Sequence, residues 1–397
     1  MKYINWISFR YLTASKTRFL AFLNFISVAG VAIGVMALIV VIGVMTGFGN
    51  NLREKIIGTT PHVMVEKETG VKNYEEIQQK LNKIDGVVAS SAYVQGSLFL
   101  ENTGQALSVA VRGIQSESEK NVTKANQYLV EGTLKDLKDD SVIIGKELAR
   151  YFGYSVGDTI TLISPGAGIA GKSWRYSLKI VGIFNTGMVD YDMSLVLVPL
   201  KKAQEIFNLP LDVATGIGVK ITDPYQAKKI QKKIYEALGY SFLVRTWIDI
   251  NRNLFEALFL EKWGLFIILT LMVLVASFNI ISTLVVTVTS KIHDIGILQS
   301  IGVPRKAIRQ IFTQQGMFIG ILGTIFGLLS GLGVSYILKT YVRVPQEIYS
   351  IDHVPVDLQL SDITAIVVAA LVITYVATIY PAAKAASLQP VEALRYE

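Results

Sequence analysis

Four long runs without a charged side chain dominate the hydrophobic pattern of the chain, at residues 19–51, 263–290, 310–338 and 363–383. A helix needs roughly 20 apolar residues to cross a hydrocarbon core of about 30 Å. A helix also satisfies its own backbone hydrogen bonds, which lipid cannot do. The pattern therefore predicts an α-helical membrane protein with four transmembrane helices.

The interval between the first and second runs, residues 52–262, has ordinary mixed composition and is long enough to fold around its own core. Alternation and turn signals predict a strand, a helix and a strand at each end of this interval. The segments are 61–67, 74–84, 87–100 with its partner 105–113, and then 214–221, 224–238 and 241–247. The middle predicts further strands at 142–144, 158–163, 176–184 and 195–199, with helices at 146–152 and 200–207. We therefore expect a large α+β, two-lobed domain inserted between helices 1 and 2.

Charge predicts the orientation of the four helices. The flanks before the first helix, between the second and third, and after the fourth hold ten Lys/Arg against three acids, a net +7 that equals the charge of the whole chain. By the positive-inside rule both termini are cytoplasmic and the inserted domain lies outside. Because the basic excess reports topology and attraction to anionic lipid, it does not indicate a nucleic-acid partner.

The hydrophobic runs and the charge pattern together divide the chain into nine segments. We assign 1–18 to a cytoplasmic, interfacial helix, 19–47 to the first span, 48–257 to the external domain, 258–290 to the second span, 291–309 to a cytoplasmic loop, 310–338 to the third span, 339–362 to a short external loop, 363–383 to the fourth span and 384–397 to a cytoplasmic tail.

One motif suggests a nucleotide site. Residues 166–173 match the phosphate-binding pattern G-x-x-x-x-G-K-[ST]. A working P-loop must open a helix, whereas 174–184 are rich in aromatic and β-branched residues and predict a strand. We interpret the segment as a Gly-rich hairpin that projects from the domain, in which Pro165, Lys172, Trp174 and Arg175 are candidates for contact with another protein or lie in a loop without a role.

We find no other candidate for catalysis or metal binding. The three histidines, His62, His293 and His353, fall in different segments, and the chain has no cysteine. Asp190 and Asp192 are close in sequence, and we expect them to lie in a solvated turn. The sequence thus predicts no enzyme active site.

The third span and the segment that precedes it carry further sequence signals. Gly316, Gly320, Gly323 and Gly327 are spaced to let helices approach closely; the alternative is that glycine is simply common in membrane helices. The segment between these spans has an apolar surface broken by polar residues, followed by Gly302 and Pro304. A short cytoplasmic helix of this kind is suited to contact with a motor subunit.

Several blocks make the chain resemble a known family. They are residues 30–38, 44–48, 52–56, 278–284, 291–302, 315–316 and 380–397. Together they are similar to the lipoprotein-releasing permeases of the LolC/LolE type, within the superfamily of MacB-like and FtsX-like permeases. The resemblance covers the whole chain, and its ending and first-helix block are the most specific parts.

The resemblance implies a MacB-like periplasmic domain and a permease subunit of an ABC transporter in the inner membrane. In that family the transporter extracts lipoproteins from the outer leaflet for transfer to a periplasmic, LolA-like carrier and the outer membrane, and the resemblance implies the same activity here. The resemblance also implies a cytoplasmic, LolD-like ATPase, which holds the ATP and magnesium, a second permease copy or paralogue, and no cofactor in this chain.

The resemblance also implies residue roles. Lys291, Asp294, Ile295, Ile297, Leu298 and Gly302 match the coupling loop that docks into the ATPase. Val44, Met45 and Phe48 match the border of the lipoprotein cavity, and the hairpin with Pro165, Lys172, Trp174 and Arg175 takes the place of the hook that holds the carrier. Here the loop is shorter and lacks the extra prolines of that hook.

Three assignments within the family stay open: a LolC role, a LolE role, or one permease that serves both. Two further classes are alternatives, an FtsX-like regulatory or mechanotransmitting permease and a MacB-like efflux permease.

Overall fold

The computed structural model describes residues 6–8, 10, 18–102, 105–164, 174–343 and 353–387. These residues form two compact units. One comprises the described residues of 1–50, 257–343 and 353–397, and the other comprises those of 51–256.

The helices, in chain order, are α1 (Arg18–Thr59), α2 (Tyr74–Leu81), α3 (Ser116–Val122), α4 (Lys146–Phe152), α5 (Val189–Ser194), α6 (Leu200–Ile206), α7 (Ala227–Leu238), α8 (Trp247–Ile250), α9 (Arg252–Ser290), α10 (Ile292–Ser300), α11 (Arg305–Tyr341) and α12 (Leu360–Ser387). The strands are β1 (Val63–Lys72), β2 (Val87–Asn102), β3 (Gln105–Ile114), β4 (Leu129–Glu131), β5 (Ser141–Gly145), β6 (Thr159–Ser164), β7 (Trp174–Phe184), β8 (Leu195–Pro199), β9 (Val213–Ile221) and β10 (Leu243–Thr246). Short 3₁₀ turns lie at Leu134–Asp136 and Pro224–Gln226.

The helical unit contains four helices, α1, α9, α11 and α12, that are long and apolar enough to cross a membrane. This confirms the predicted number of apolar helices. Their shared core includes Val31, Val35 and Ile39 of α1 together with Ile280 and Ile319, all at most 4% exposed. Large apolar side chains on α9 are mostly exposed, such as Ile268 at 64%. Such a surface is typical of a helix that faces lipid or another apolar partner.

Helix α1 is longer than the hydrophobic run that predicts its span. Its 42 residues make a helix about 63 Å long at 1.5 Å per residue. Arg53, Glu54 and Lys55 end the apolar run but favour helix as much as other long side chains do, so the helix continues to Thr59. Beyond these charges, Ile56 packs in the core of the sheet unit. The end of the apolar run therefore marks a change in composition and does not mark the end of the helix.

The sheet unit is built on one ten-stranded sheet in the order β10-β1-β9-β2-β3-β8-β5-β7-β4, with β6 paired to both β2 and β7. The outer segments of the domain supply β1 to β3, β9 and β10, and the middle segment supplies β4 to β8. The two groups join where β3 pairs with β8 in parallel and where β6 pairs with β2. The expected two lobes are therefore two parts of a single sheet.

The pairings also close six of these strands into a ring. β2 pairs with β3, β3 with β8, β8 with β5, β5 with β7, β7 with β6, and β6 again with β2. Alternate residues of a barrel strand point inward, and the inward set here is aliphatic and at most 2% exposed. It comprises Leu98, Leu100, Val109, Val111, Val142, Ile144, Ile160, Leu162, Leu178, Ile180, Val196 and Val198.

Four elements of this unit escaped the sequence prediction: α3, β4, α5 and α8. Each has at most seven residues, so none is long enough to show a clear hydrophobic period. Tertiary contacts rather than local pattern decide these segments.

Candidate functional site

Helix α10 lies between α9 and α11 and carries the residues assigned to the coupling loop. Lys291 and Asp294 form an ion pair at 3.0 Å near its first turn. At the other end the Gly302 N–H donates to the Gln299 carbonyl at 3.0 Å and the Val303 N–H donates to the Leu298 carbonyl at 3.0 Å. Gly302 has φ +91°. This is a Schellman ending, which needs a left-handed residue after the helix and explains the glycine.

The apolar side chains of α10 divide into an inner and an outer set. Ile295 is 1% exposed and packs with Val288, Ile308 and Phe312. Ile297 is 44% exposed and Ile301, directly after the helix, is 72% exposed. Leu298 is half-buried. Ile295 anchors the helix to the bundle, and the outer residues leave an apolar surface available to a partner.

The glycines of α11 face two different helices. A Cβ on Gly316 would lie 2.1 Å from Thr378 Cγ2, and one on Gly320 would lie 2.2 Å from Thr374 Cγ2, both on α12. Gly323 and Gly327 face α1 instead.

On the α1 side, a Cβ on Gly323 would lie 2.7 Å from the Cβ of Val31, and one on Gly327 would lie 2.7 Å from the Cβ of Val35. Carbon atoms in contact prefer about 3.5–4.0 Å. All four glycines therefore stand where the neighbouring helix leaves no room for a side chain.

Val44, Met45 and Phe48 lie on α1 and are half-buried. Gly43 and Gly47 on the same helix are buried, but Met45 lies on the opposite side of α1 from Gly43. Nothing in this geometry identifies a ligand, and their assignment to a lipoprotein cavity stays a prediction.

The hairpin assigned to carrier contact is described in part, because Pro165 and Lys172 lie outside the described residues. Strands β6 and β7 pair antiparallel on either side of them, with Ser164 opposite Trp174. Trp174 is 60% exposed, and the Arg175 guanidinium is 3.0 Å from the Glu101 carboxylate. Because a strand and not a helix follows Ser173, the P-loop-like pattern lacks the helix N-terminus that would bind phosphate.

The expectation of a solvated turn at Asp192 is wrong. Its side chain is fully buried. The carboxylate accepts hydrogen bonds from the Thr186 N–H at 2.9 Å, the Thr186 hydroxyl at 2.8 Å and the Gly187 N–H at 3.2 Å. Burial raises the pKa of Asp192 above its usual value. Asp190 is exposed, so only one carboxyl of the pair is structural.

No sequence pattern indicates the buried ion pair between Arg112 of β3 and Glu119 of α3. They are 6% and 3% exposed and 3.8 Å apart. The Arg112 guanidinium lies over the Tyr93 ring, with its central carbon 4.7 Å from the ring centroid. In the described part of the chain, Arg112 Nε and Nη2 and Glu119 Oε2 have no hydrogen-bond partner. They line a cavity of about 30 Å³, which is large enough for ordered water.

Comparison with known proteins defines the class. Residues 24–237 match the family of MacB-like periplasmic core domains, and residues 266–390 match the family of FtsX-like permease C-terminal domains. With four apolar helices, these matches define a permease of the MacB- and FtsX-like class.

Full-length relatives narrow this class. The lipoprotein-releasing system transmembrane protein LolC of Neisseria meningitidis serogroup B is 34% identical over 99% of both chains. LolC of Xylella fastidiosa is 30% identical over 98% of both chains, and LolE of Haemophilus influenzae is 27% identical over 98% of both chains. The chain belongs to the lipoprotein-releasing permeases of the LolC/LolE type. This confirms the family resemblance that the sequence motifs indicated.

Among solved structures, the periplasmic region of MacB from Actinobacillus actinomycetemcomitans aligns with 51% of this chain and 95% of its own length. The two are 14% identical, and the TM-score is 0.35. This likeness is too weak to add to the assignment.

Proposed function

We propose that the chain is the transmembrane permease subunit of an ABC transporter in the inner membrane, with cytoplasmic termini. It extracts lipoproteins from the outer leaflet for transfer to a periplasmic carrier and the outer membrane. Membership of the LolC/LolE type supports this proposal, as do four helices suited to a membrane. A second permease, either another copy or a paralogue, completes the transport path.

The observation that carries the proposal is the geometry of α10. It is a short helix between two membrane-length helices, fixed to the bundle by Ile295, and it presents Ile297 outward, with exposed Ile301 directly after it. An exposed apolar surface beside charged residues is suited to docking of another protein. We assign the cytoplasmic ATPase to this surface. ATP and magnesium then belong to that partner, and no cofactor belongs to this chain.

Extraction requires such a partner on energetic grounds. Acyl chains gain roughly 0.8 kcal/mol for each CH₂ buried in a bilayer, so removal of several chains is steeply uphill. The four apolar runs of the sequence, 19–51, 263–290, 310–338 and 363–383, contain no Asp, Glu, Lys or Arg. Ion-coupled transport therefore lacks its usual charged groups in these runs. ATP hydrolysis by a bound subunit supplies the missing free energy.

The remaining assignments follow the same scheme. Val44, Met45 and Phe48 border the lipoprotein path, and exposed Trp174 with Arg175 contributes to contact with the carrier. These roles depend on the family resemblance, and Ile297 offers the more direct test.

The test compares Ile297→Asp with Ile297→Leu in the complex of the permease with its ATPase. We expect Ile297→Asp to abolish release of lipoprotein to the carrier from reconstituted vesicles and to weaken binding of the ATPase, because it places a charge in an apolar contact. Ile297→Leu retains the apolar surface and should behave as the wild type. Normal release by the Asp variant would contradict the assignment of α10.

Depletion in cells tests the function itself. If outer-membrane lipoproteins accumulate in the inner membrane, the release function is supported. If they reach the outer membrane normally while cell-wall cleavage fails, the chain is a regulatory permease instead.

A further inference from the structure

The described residues that lead into α12, 353–359, pack directly on α1. The Asp357 N–H donates to the Gly43 carbonyl at 3.0 Å. The Asn50 side-chain amide donates to the Asp357 carboxylate, with Nδ2 and Oδ2 2.7 Å apart. We call Asn50, Asp357 and the Gly43 carbonyl the clasp. All three belong to the helical unit.

Two glycines of α1 make this contact possible. A Cβ on Gly47 would lie 2.2 Å from the Pro355 carbonyl oxygen, and one on Gly43 would lie 2.6 Å from Leu358 Cδ2. A Cβ on Gly49, on the same turn, would meet nothing within 4 Å. Residues 353–359 therefore lie against a flat stripe of α1 and not against the whole helix.

The clasp fixes the rotation of α1. Gly43, Gly47 and Asn50 are spaced by four and three residues, so they share one face of the helix. At 100° per residue, Met45 is displaced by about 200° from Gly43 and lies on the opposite side. A hydrogen bond to a charged acceptor is stronger than one between neutral groups. Rotation of the outer turns of α1 would break this bond and the backbone bond at Gly43 together.

We propose that Asn50 and Asp357 are positioning residues that hold the Met45 side of α1 toward the lipoprotein. This inference rests on the proposed function, because it assigns the lipid-contacting side of α1. The clasp touches no substrate itself. It sets the angle at which the lipid-contacting side chains meet the acyl chains.

Two matched sets of variants test the clasp in the full complex. Gly47→Ala forces Pro355 away, whereas Gly49→Ala adds the same methyl group in open space. Asn50→Asp sets two carboxylates against each other, and the exchanged pair Asn50→Asp with Asp357→Asn restores a donor and an acceptor. The thermal unfolding midpoint of each variant identifies those that fail to fold.

The readout is the position of the lipoprotein relative to α1. The chain has no cysteine, so Met45→Cys can carry a single thiol-linked benzophenone that cross-links to bound lipoprotein on illumination. We expect Asn50→Asp to lower the cross-linking yield about tenfold, since loss of a hydrogen bond to a charged group changes populations by at least this factor. Gly47→Ala should also lower the yield, because the added methyl group overpacks the contact with Pro355. ATP hydrolysis without lipoprotein should not change. Gly49→Ala and the exchanged pair should cross-link as the parent does.

The outcomes separate the two proposals. If the parent complex releases and cross-links lipoprotein but Asn50→Asp and Gly47→Ala cross-link equally well, the clasp does not position α1 and the inference is overturned. An exchanged pair that folds but stays as poor as Asn50→Asp overturns it as well. If the parent complex neither releases nor cross-links lipoprotein, the proposed function fails and the inference falls with it.

Discussion

The glycines of α11 make a prediction about the helix bundle that can be worked out in magnitude. Gly320→Ala would bring a methyl carbon to 2.2 Å from Thr374 Cγ2, 2.7 Å from its Oγ1 and 2.8 Å from its Cβ. Thr374 is 2% exposed and has a branched side chain with restricted χ1 in a helix. It cannot turn out of the way, so α11 and α12 must separate by about 1.3 Å to restore a carbon–carbon contact of about 3.5 Å.

The cost of this separation outweighs the gain in helix propensity. Overpacking of a close contact costs about 1–3 kcal/mol, and a gap of 0.5–1 Å already removes about a quarter to a half of the contact energy along the interface. Alanine favours helix over glycine by about 1 kcal/mol. Between helices in lipid, packing rather than the hydrophobic effect drives association. We expect Gly320→Ala to destabilise the chain by about 1 kcal/mol overall.

The control is on the same helix. A Cβ on Gly333 would meet nothing within 4 Å, so Gly333→Ala gains the propensity without the collision. Unfolding of the purified chain in mixed micelles, followed as denaturing detergent is added, gives the free energy of each variant. The two variants should differ by about 2 kcal/mol. If Gly320→Ala is at least as stable as Gly333→Ala, the close approach of α11 and α12 does not stabilise the bundle and the reasoning is wrong.

Two predictions concern the sheet unit, each measured by thermal unfolding of the chain in detergent. Burial lowers the pKa of His62 below its usual value of 6.5, so the unfolded chain takes up a proton at this histidine more readily than the folded chain. The contribution of His62 to the free energy of unfolding should therefore stay constant above about pH 6.5 and fall as the pH drops below it. His62→Asn keeps an acceptor for the Ile221 N–H, now 3.2 Å from Nδ1, and should flatten that fall; an unchanged slope would contradict this. Arg112→Met should destabilise by about 3–5 kcal/mol because it leaves the Glu119 carboxylate buried without its ion partner. Adding Glu119→Gln should recover most of the loss, and a double variant no more stable than the single would refute the pairing.

The sequence predicted the long elements well because their signals are local. A run such as 363–383 contains no charge over a length that only a membrane helix or a deeply buried helix uses, and α12 spans Leu360–Ser387 around it. The strand prediction at 195–199 matches β8, Leu195–Pro199, because a short β-branched and aliphatic run followed by a polar helix is distinctive. Closure of the strands into a ring has no such signal, since it depends on pairings between distant residues such as Leu100 and Leu162.

Glycine spacing shows the same limit. The intervals between Gly316, Gly320, Gly323 and Gly327 predict close packing from sequence alone. They do not reveal that the first two face α12 and the last two face α1, because the change of partner follows from the crossing of three helices. The buried charges were harder still. Asp192 and Glu119 are in short polar segments that look solvated, and only the folded sheet places them inside.

Asp357 shows how a residue can fit a sequence argument and still have an unrecognised role. In the charge pattern it is one of the acids that make the loop between α11 and α12 less basic than the cytoplasmic segments. In the structure its carboxylate accepts a hydrogen bond from Asn50 and its N–H donates to the Gly43 carbonyl. The positive-inside rule depends on Lys and Arg and hardly on acids, so membrane orientation does not require an aspartate at this position. The contact with α1 does require an acceptor there, and this is why we assign the residue to the position of the helix and not to topology.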